Sequence, residues 1–155
     1  MKKILFLSLF FVIIAAGCGT GNDPNEEAEE VNGDGKGINE GVIAGSLEEQ
    51  SPLTYQYRVS NQTENEVKHE FSSSQRFDYS IADSSGEQVF LLSSVTSYIQ
   101  VMGEEIIEPG GELVYDIDLQ ERDLPPGKYV LTAWLTPTDG KKYEVKQEFT
   151  VSEGE

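Results

Sequence analysis

From Leu53 onward the chain alternates between apolar and polar positions. Leu53, Tyr55, Tyr57 and Val59 alternate with Thr54, Gln56 and Arg58, and Val67, His69 and Phe71 with Lys68 and Glu70. Phe77, Tyr79 and Ile81 alternate with Asp78, Ser80 and Ala82, and Val89 to Leu92 is a short apolar run. Leu113, Tyr115, Ile117 and Leu119 follow, then Tyr129, Leu131, Ala133 and Leu135, then Tyr143, Val145, Gln147, Phe149 and Val151. A period of two places every second side chain on one face, the pattern of a half-buried strand. The interruptions are turn formers: Asn61 to Asn65, Ser72 to Gln75, Asp83 to Gly86, Pro109-Gly110-Gly111, Pro125-Pro126-Gly127 and Thr138-Asp139-Gly140. Asp139-Gly140 between two strand patterns is a hairpin signal. No helical period of useful length follows Ser51.

Seven to eight short antiparallel strands are therefore expected over residues 51–155, in an all-β, immunoglobulin-like β-sandwich, with a small closed barrel as the alternative. The alternation places Phe77, Tyr79, Ile81, Leu113, Tyr115, Ile117, Leu131, Leu135 and Phe149 inside. Tyr129, opening a strand after Pro-Pro-Gly, fits either a corner tyrosine bonded to the preceding loop or a plain core tyrosine. Trp134 is out of phase with its strand and is expected to be partly buried or a partner contact.

Composition changes sharply upstream. Residues 19 to 50 carry nine carboxylates against Lys36 alone, with seven glycines and no aromatic residue. Such a segment cannot bury enough apolar surface to offset the entropy of ordering, so it is expected to be a disordered tether. Its flexible reach is roughly 30 Å, and full extension about 105–115 Å. Asn32 to Glu40 faintly mimics a calcium loop, but the closing Glu40 comes one position early and no amphipathic helix flanks it, so no calcium site is expected.

Ahead of the tether lies a different signal. Lys2 and Lys3 precede an apolar run from Ile4 to Ile14, broken by Ser8, and then Ala15-Ala16-Gly17-Cys18. This is the build of a secretory signal peptide, and the run is shorter than the roughly 20 residues of a membrane-spanning helix. Ala-Ala-Gly-Cys resembles the bacterial lipobox, with Ala15 where leucine is usual. That resemblance implies cleavage of residues 1–17, lipid on Cys18, and a protein anchored on the extracytoplasmic face of a Gram-positive membrane. The expected organisation is a signal peptide (1–17), a lipidated cysteine with acidic linker (18–50) and the sandwich (51–155).

Charge and residue chemistry then narrow the function. The formal charge of −17 becomes −19 once Lys2 and Lys3 are removed, which repels nucleic acid and anionic lipid. One cysteine excludes an internal disulfide. His69 is the only histidine; in mid-strand it reads as structural, and one histidine with a lipidated cysteine leaves too few ligands for a zinc site. Asp116 and Asp118 share a strand face as a glycosidase pair does, but read as solvated. No catalytic residue, cofactor or metal is expected.

Several stretches, in order, resemble the BsuPI-type proteinase inhibitor domain. Ser74-Gln75-Arg76-Phe77-Asp78-Tyr79 resembles its S-G-Q-x-Y-D-F segment, with Ser74 in the glycine place. Asp83 to Phe90 resembles D-x-x-G-x-x-V-W, with Phe90 for tryptophan. Ser97-Tyr98-Ile99-Gln100 resembles x-F-x-Q, Ile107 to Glu112 resembles L-x-P-G-E with one glycine inserted, and Pro126-Gly127-Lys128-Tyr129 resembles P-G-x-Y. The resemblance implies an immunoglobulin-like fold and binding to subtilisin-like serine proteases. The expected function is protein binding without catalysis, by a monomer. The connection Ser93–Ile107 is the candidate protease-facing loop, with Tyr98, Ile99 and Met102, and Trp134 as a further contact. The alternative function is a non-inhibitory structural or chaperone-like extracytoplasmic binding module for wall polymer or another surface protein; for the loop residues, the alternative is that Tyr98 and Ile99 plug one end of the sandwich.

Overall fold

The computed structural model describes residues 41–153. Cys18, the expected signal peptide, the stretch Asn32–Glu40 and most of the expected acidic linker lie outside the described residues. Nine strands and one helical turn follow in chain order among the described residues: β1 (Ile43–Ser51), β2 (Thr54–Asn61), β3 (Val67–Phe71), β4 (Phe77–Asp83), β5 (Gln88–Leu91), α1 (Leu92–Val95), β6 (Gly103–Ile107), β7 (Glu112–Asp118), β8 (Gly127–Leu135) and β9 (Lys142–Val151). All pairing is antiparallel. The strands form a three-stranded sheet β1-β2-β7, a four-stranded sheet β5-β4-β8-β9 and a ribbon β3-β6. None of the described helices is long and apolar enough to cross a membrane.

The sandwich follows from the alternation. In β2 every second residue, Tyr55, Tyr57 and Val59, is buried. Facing them across the core are Tyr79 and Ile81 of β4, Leu131, Ala133 and Leu135 of β8, and Phe149 and Val151 of β9. Aromatic rings join the two sheets: Tyr55 meets Phe149 at 6.0 Å, and Phe77 stacks on Tyr115 at 4.6 Å. The expected core residues all belong to this cluster, with Phe77, Leu113 and Tyr115 at its half-buried margin. The phase expected for β8 is the one observed.

Three expectations are corrected. The linker does not extend to residue 50: Ile43–Ser51 is strand β1, paired with β2 from Ile43↔Asn61 to Ser51↔Thr54. The domain therefore begins by Ile43, not at residue 51. Ile43, Gly45 and Leu47 turn inward while the acids of its second half stay exposed, so the charge that suggested disorder lies on a solvated face. Ser93–Ile107 is not one loop: α1 takes its start, β6 takes its end, and Ile107 is buried. Asp78, one of the polar positions alternating along β4, is buried.

Gly45 closes the seam between the sheets. A Cβ there would lie 2.6 Å from the carbonyl oxygen of Tyr143. That carbonyl also accepts a hydrogen bond from Tyr57 Oη at 2.8 Å. It is aimed inward by a bulge: Ala133 pairs with Val145 but Leu135 with Lys142, so one residue, Trp134, opposes two. Tyr143 takes φ 52 there, a left-handed conformation unusual for a side-chain-bearing residue.

Two loop anchors hold the sandwich ends. Tyr129 Oη donates to the Pro125 carbonyl at 2.7 Å, so the corner arrangement is the one adopted. Asn61 is fully buried, donates through Nδ2 to the carbonyls of Asn65 and Ile107, and accepts at Oδ1 from Thr63 N–H and Oγ1. Its backbone N–H donates to Gly111, and its carbonyl accepts from Gly110.

Candidate functional site

The ribbon β3-β6 brings two connections together. β3 ends at Phe71, whose register partner is Gly103, the first residue of β6. The turn 72–76 therefore lies beside the strand-free segment 96–102. The two are bonded through one residue on each side. Ser74 N–H donates to the Ile99 carbonyl at 2.8 Å, and Ile99 N–H donates to Ser74 Oγ at 3.0 Å.

Arg76 braces the turn. Its Nη1 donates to the Ser73 carbonyl at 2.7 Å, its Nε donates to Glu105 of β6 at 2.8 Å, and its guanidinium lies 4.7 Å from the Phe71 ring centre. Gly103 makes room for the crossing, because a Cβ there would collide with the Arg76 guanidinium. The fork of donors that arginine carries suits this three-way tie. Asp78 fixes the other approach: Oδ1 accepts from Tyr79 N–H at 2.9 Å and from Ser93 N–H, within α1, at 3.1 Å.

The segment so held is apolar and open. Ile99 is 73% exposed and Met102 70%, with Val95, Val101 and Ile106 also exposed nearby in sequence. A run of large apolar groups in solvent is a mark of an interaction surface. Tyr98 differs: it is half-buried, and burial first, then the Asp78 charge, raise its hydroxyl pKa. Ile99, which the plug alternative also placed inside, is in solvent together with Met102. Trp134 is half-buried, with Lys141 Nζ 3.7 Å above its ring, a cation–π contact worth about 0.5–1 kcal/mol at such sites.

The remaining chemical candidates have structural partners. His69 is buried, 3.2 Å from Tyr143 Oη and edge-on to that ring at 5.5 Å. Burial first, then Lys142, lower its pKa, opposed by Asp139. Asp116 and Asp118 are exposed and accept from Gln56 Nε2 and Gln120 N–H. A cleft of about 500 Å³ lies between Pro52-Leu53 and Gln120–Leu124. Its Arg122 is already engaged, 4.5 Å over Phe90 and donating to Tyr79 Oη. Among the described residues no three His, Cys, Asp or Glu groups cluster as metal ligands.

Sequence reasoning named Ile99 and Met102 but gave no such role to Ser74, Arg76 or Gly103: Ser74 read as a turn residue, Arg76 as a variable position of the family-like segment, and Gly103 was not singled out, since nothing local says that the turn and the segment meet.

The model of the BsuPI family, described as intracellular proteinase inhibitor, matches residues 43–140, and the chain belongs to that family. The match begins at the first residue of β1. No curated protein matches the sequence. Among solved structures the chain is similar to CopC from Methylosinus trichosporium OB3b, at 24% identity over 75% of this chain and 85% of that one, with a TM-score of 0.32.

Proposed function

We propose that this protein is a proteinase inhibitor that docks segment 96–102 in the cleft of a subtilisin-like serine protease. The observation that carries the reading is the combination at Ile99: a side chain in solvent on a backbone bonded on both sides to Ser74. Protease clefts take side chains of an extended segment into pockets. Membership of a proteinase-inhibitor family supports the same reading. Ile99 and Met102 supply the pocket contacts, and Tyr98 holds the segment's base. The lipobox-like sequence at Cys18 supports a place on the extracytoplasmic membrane face, where a thioether lipid and an acylated amine would give the two or more chains that stable anchoring needs.

Replacing Ile99 and Met102 together by serine removes both anchors, each typically worth at least about 2 kcal/mol. Inhibition should weaken at least tenfold with the thermal midpoint nearly unchanged. Undiminished inhibition by the stable double variant would exclude the segment, and failure of the wild-type domain to inhibit any subtilisin-like protease at equimolar concentration would exclude inhibition. Cys18→Ser should release the protein or leave it unprocessed; a processed variant still on the membrane would exclude lipid anchoring.

A further inference from the structure

We propose that Ser74 is the positioning residue that makes segment 96–102 a slowly cut ligand instead of a substrate. The proposal rests on the inhibitor reading above and adds a residue that touches no protease atom in it. The geometry is a closed pair of hydrogen bonds. Ser74 gives its backbone N–H to the Ile99 carbonyl and takes the Ile99 N–H on its side-chain oxygen. Both peptide groups of one residue in an otherwise strand-free stretch are thereby held by the body of the domain.

The turn that carries Ser74 is itself held. Arg76 ties the Ser73 carbonyl to Glu105 and packs on Phe71, and Gln75 N–H donates to Ser73 Oγ at 3.2 Å. Motion of Ile99 relative to β3 and β6 therefore requires breaking the Ser74 pair. The exposure of the Ile99 side chain shows that the pair does not bury it.

The consequence is chemical. A serine protease attacks a peptide carbonyl with its hydroxyl, whose proton passes to the protease histidine. The C–N bond then breaks, the leaving amine takes that proton, and an acyl-enzyme remains until water hydrolyses it. The Ile99 carbonyl already accepts a hydrogen bond from Ser74, so it is not free to enter an oxyanion hole. Attack falls on a flanking carbonyl of the segment. When that bond breaks, Ser74 keeps the Ile99 side of the cut beside the fold, and the fold holds the other side through β6 or α1. The new amine stays near the acyl carbon and can reattack it, expelling the protease hydroxyl and re-forming the peptide bond before water arrives. Pre-orientation of this kind also lowers the ordering cost of binding.

Ser74→Ala keeps the backbone bond and removes the side-chain one; Ser74→Thr keeps the hydroxyl. Three readouts apply to the full domain with subtilisin as the probe: the inhibition constant, the rate at which the inhibitor is cut (by mass spectrometry), and amide exchange at Ile99. Ser74→Ala should be cut at least tenfold faster, with faster Ile99 exchange and an unchanged thermal midpoint, and Ser74→Thr should restore slow cutting. Cuts should fall within 96–102 but not after Ile99. Equal cutting rates for wild type and Ser74→Ala, or a wild-type cut after Ile99, would overturn the role of Ser74 while leaving inhibition standing. Loss of inhibition in the wild type itself would overturn both.

Discussion

Gly45→Ala tests the fold where sequence and structure differ most. A methyl group at Gly45 would stand 2.6 Å from Tyr143 O, 3.1 Å from Val145 Cγ1 and 3.3 Å from Tyr143 Cβ. A carbon and an oxygen in contact settle at about 3.3 Å, so β1 and β9 must part by roughly 0.7 Å. Overpacking of this kind costs about 1–3 kcal/mol. The shift also pulls Tyr143 O from Tyr57 Oη, a buried donor whose burial holds it protonated, with a strongly raised pKa. Leaving it without an acceptor adds about 1–3 kcal/mol. Alanine returns roughly 0.5–1 kcal/mol through its smaller backbone entropy loss. The net expectation is a loss of about 2–4 kcal/mol. At about 4–8 °C per kcal/mol for a small domain, the thermal midpoint should fall by at least about 8 °C.

Urea and thermal unfolding of Gly45→Ala, with Ser46→Ala on the exposed face of the same strand as control, give the measurement. A double-mutant cycle sharpens it. Tyr57→Phe removes the donor that Gly45→Ala strands, so the two losses should be less than additive. A Gly45→Ala protein as stable as wild type would refute the close approach and return residues 43–50 to the linker. Strict additivity would refute the shared dependence on Tyr143 O.

Two further outcomes follow from buried polar groups. His69 has a lowered folded-state pKa, so the unfolded chain binds its proton more readily; the stability it contributes is present above the ordinary value of 6.5 and falls as pH drops below it towards the folded value. Urea midpoints from pH 7.5 to 5 should show this decline, and His69→Phe should flatten it; an unchanged slope would assign the decline to other groups. Tyr129→Phe deletes the bond to Pro125 O and should cost about 0.5–1.5 kcal/mol, read as a lower urea midpoint at constant slope; a neutral result would make the corner bond incidental.

The strands legible in the sequence are those whose two faces meet different media. β2, β4, β7, β8 and β9 have one face in the core and alternate accordingly. β1 and β6 do not announce themselves. β1 carries glycine where a side chain would be, because another backbone occupies that place. β6 reads Gly-Glu-Glu-Ile-Ile: its glycine makes room for Arg76 and Glu105 binds Arg76, so its residues serve neighbours 27 or more positions away rather than a local pattern. Asp78 breaks the alternation of β4 for the same kind of reason, because its partner Ser93 N–H arrives from another element. Ile99 and Met102 were legible as apolar residues outside any pattern, whereas Ser74 was not, since a serine in a turn looks the same whether or not a distant amide donates to it.

The anchoring of Asn61 gives the domain a polarity. Asn61, Ile107 and Val67 gather at one end of the ribbon β3-β6, and Phe71, Gly103 and Ser74 lie at the other. Five residues of ribbon separate these ends by roughly 13 Å. The described chain enters at the Asn61 end, where Gly41 N–H donates to Gln62 O and Gln62 N–H donates to Val42 O. Entry point and apolar segment thus occupy opposite poles. The first described residues are thus held away from Ile99 and Met102, so a partner seated on segment 96–102 leaves the Gly41–Gln62 pair uncovered.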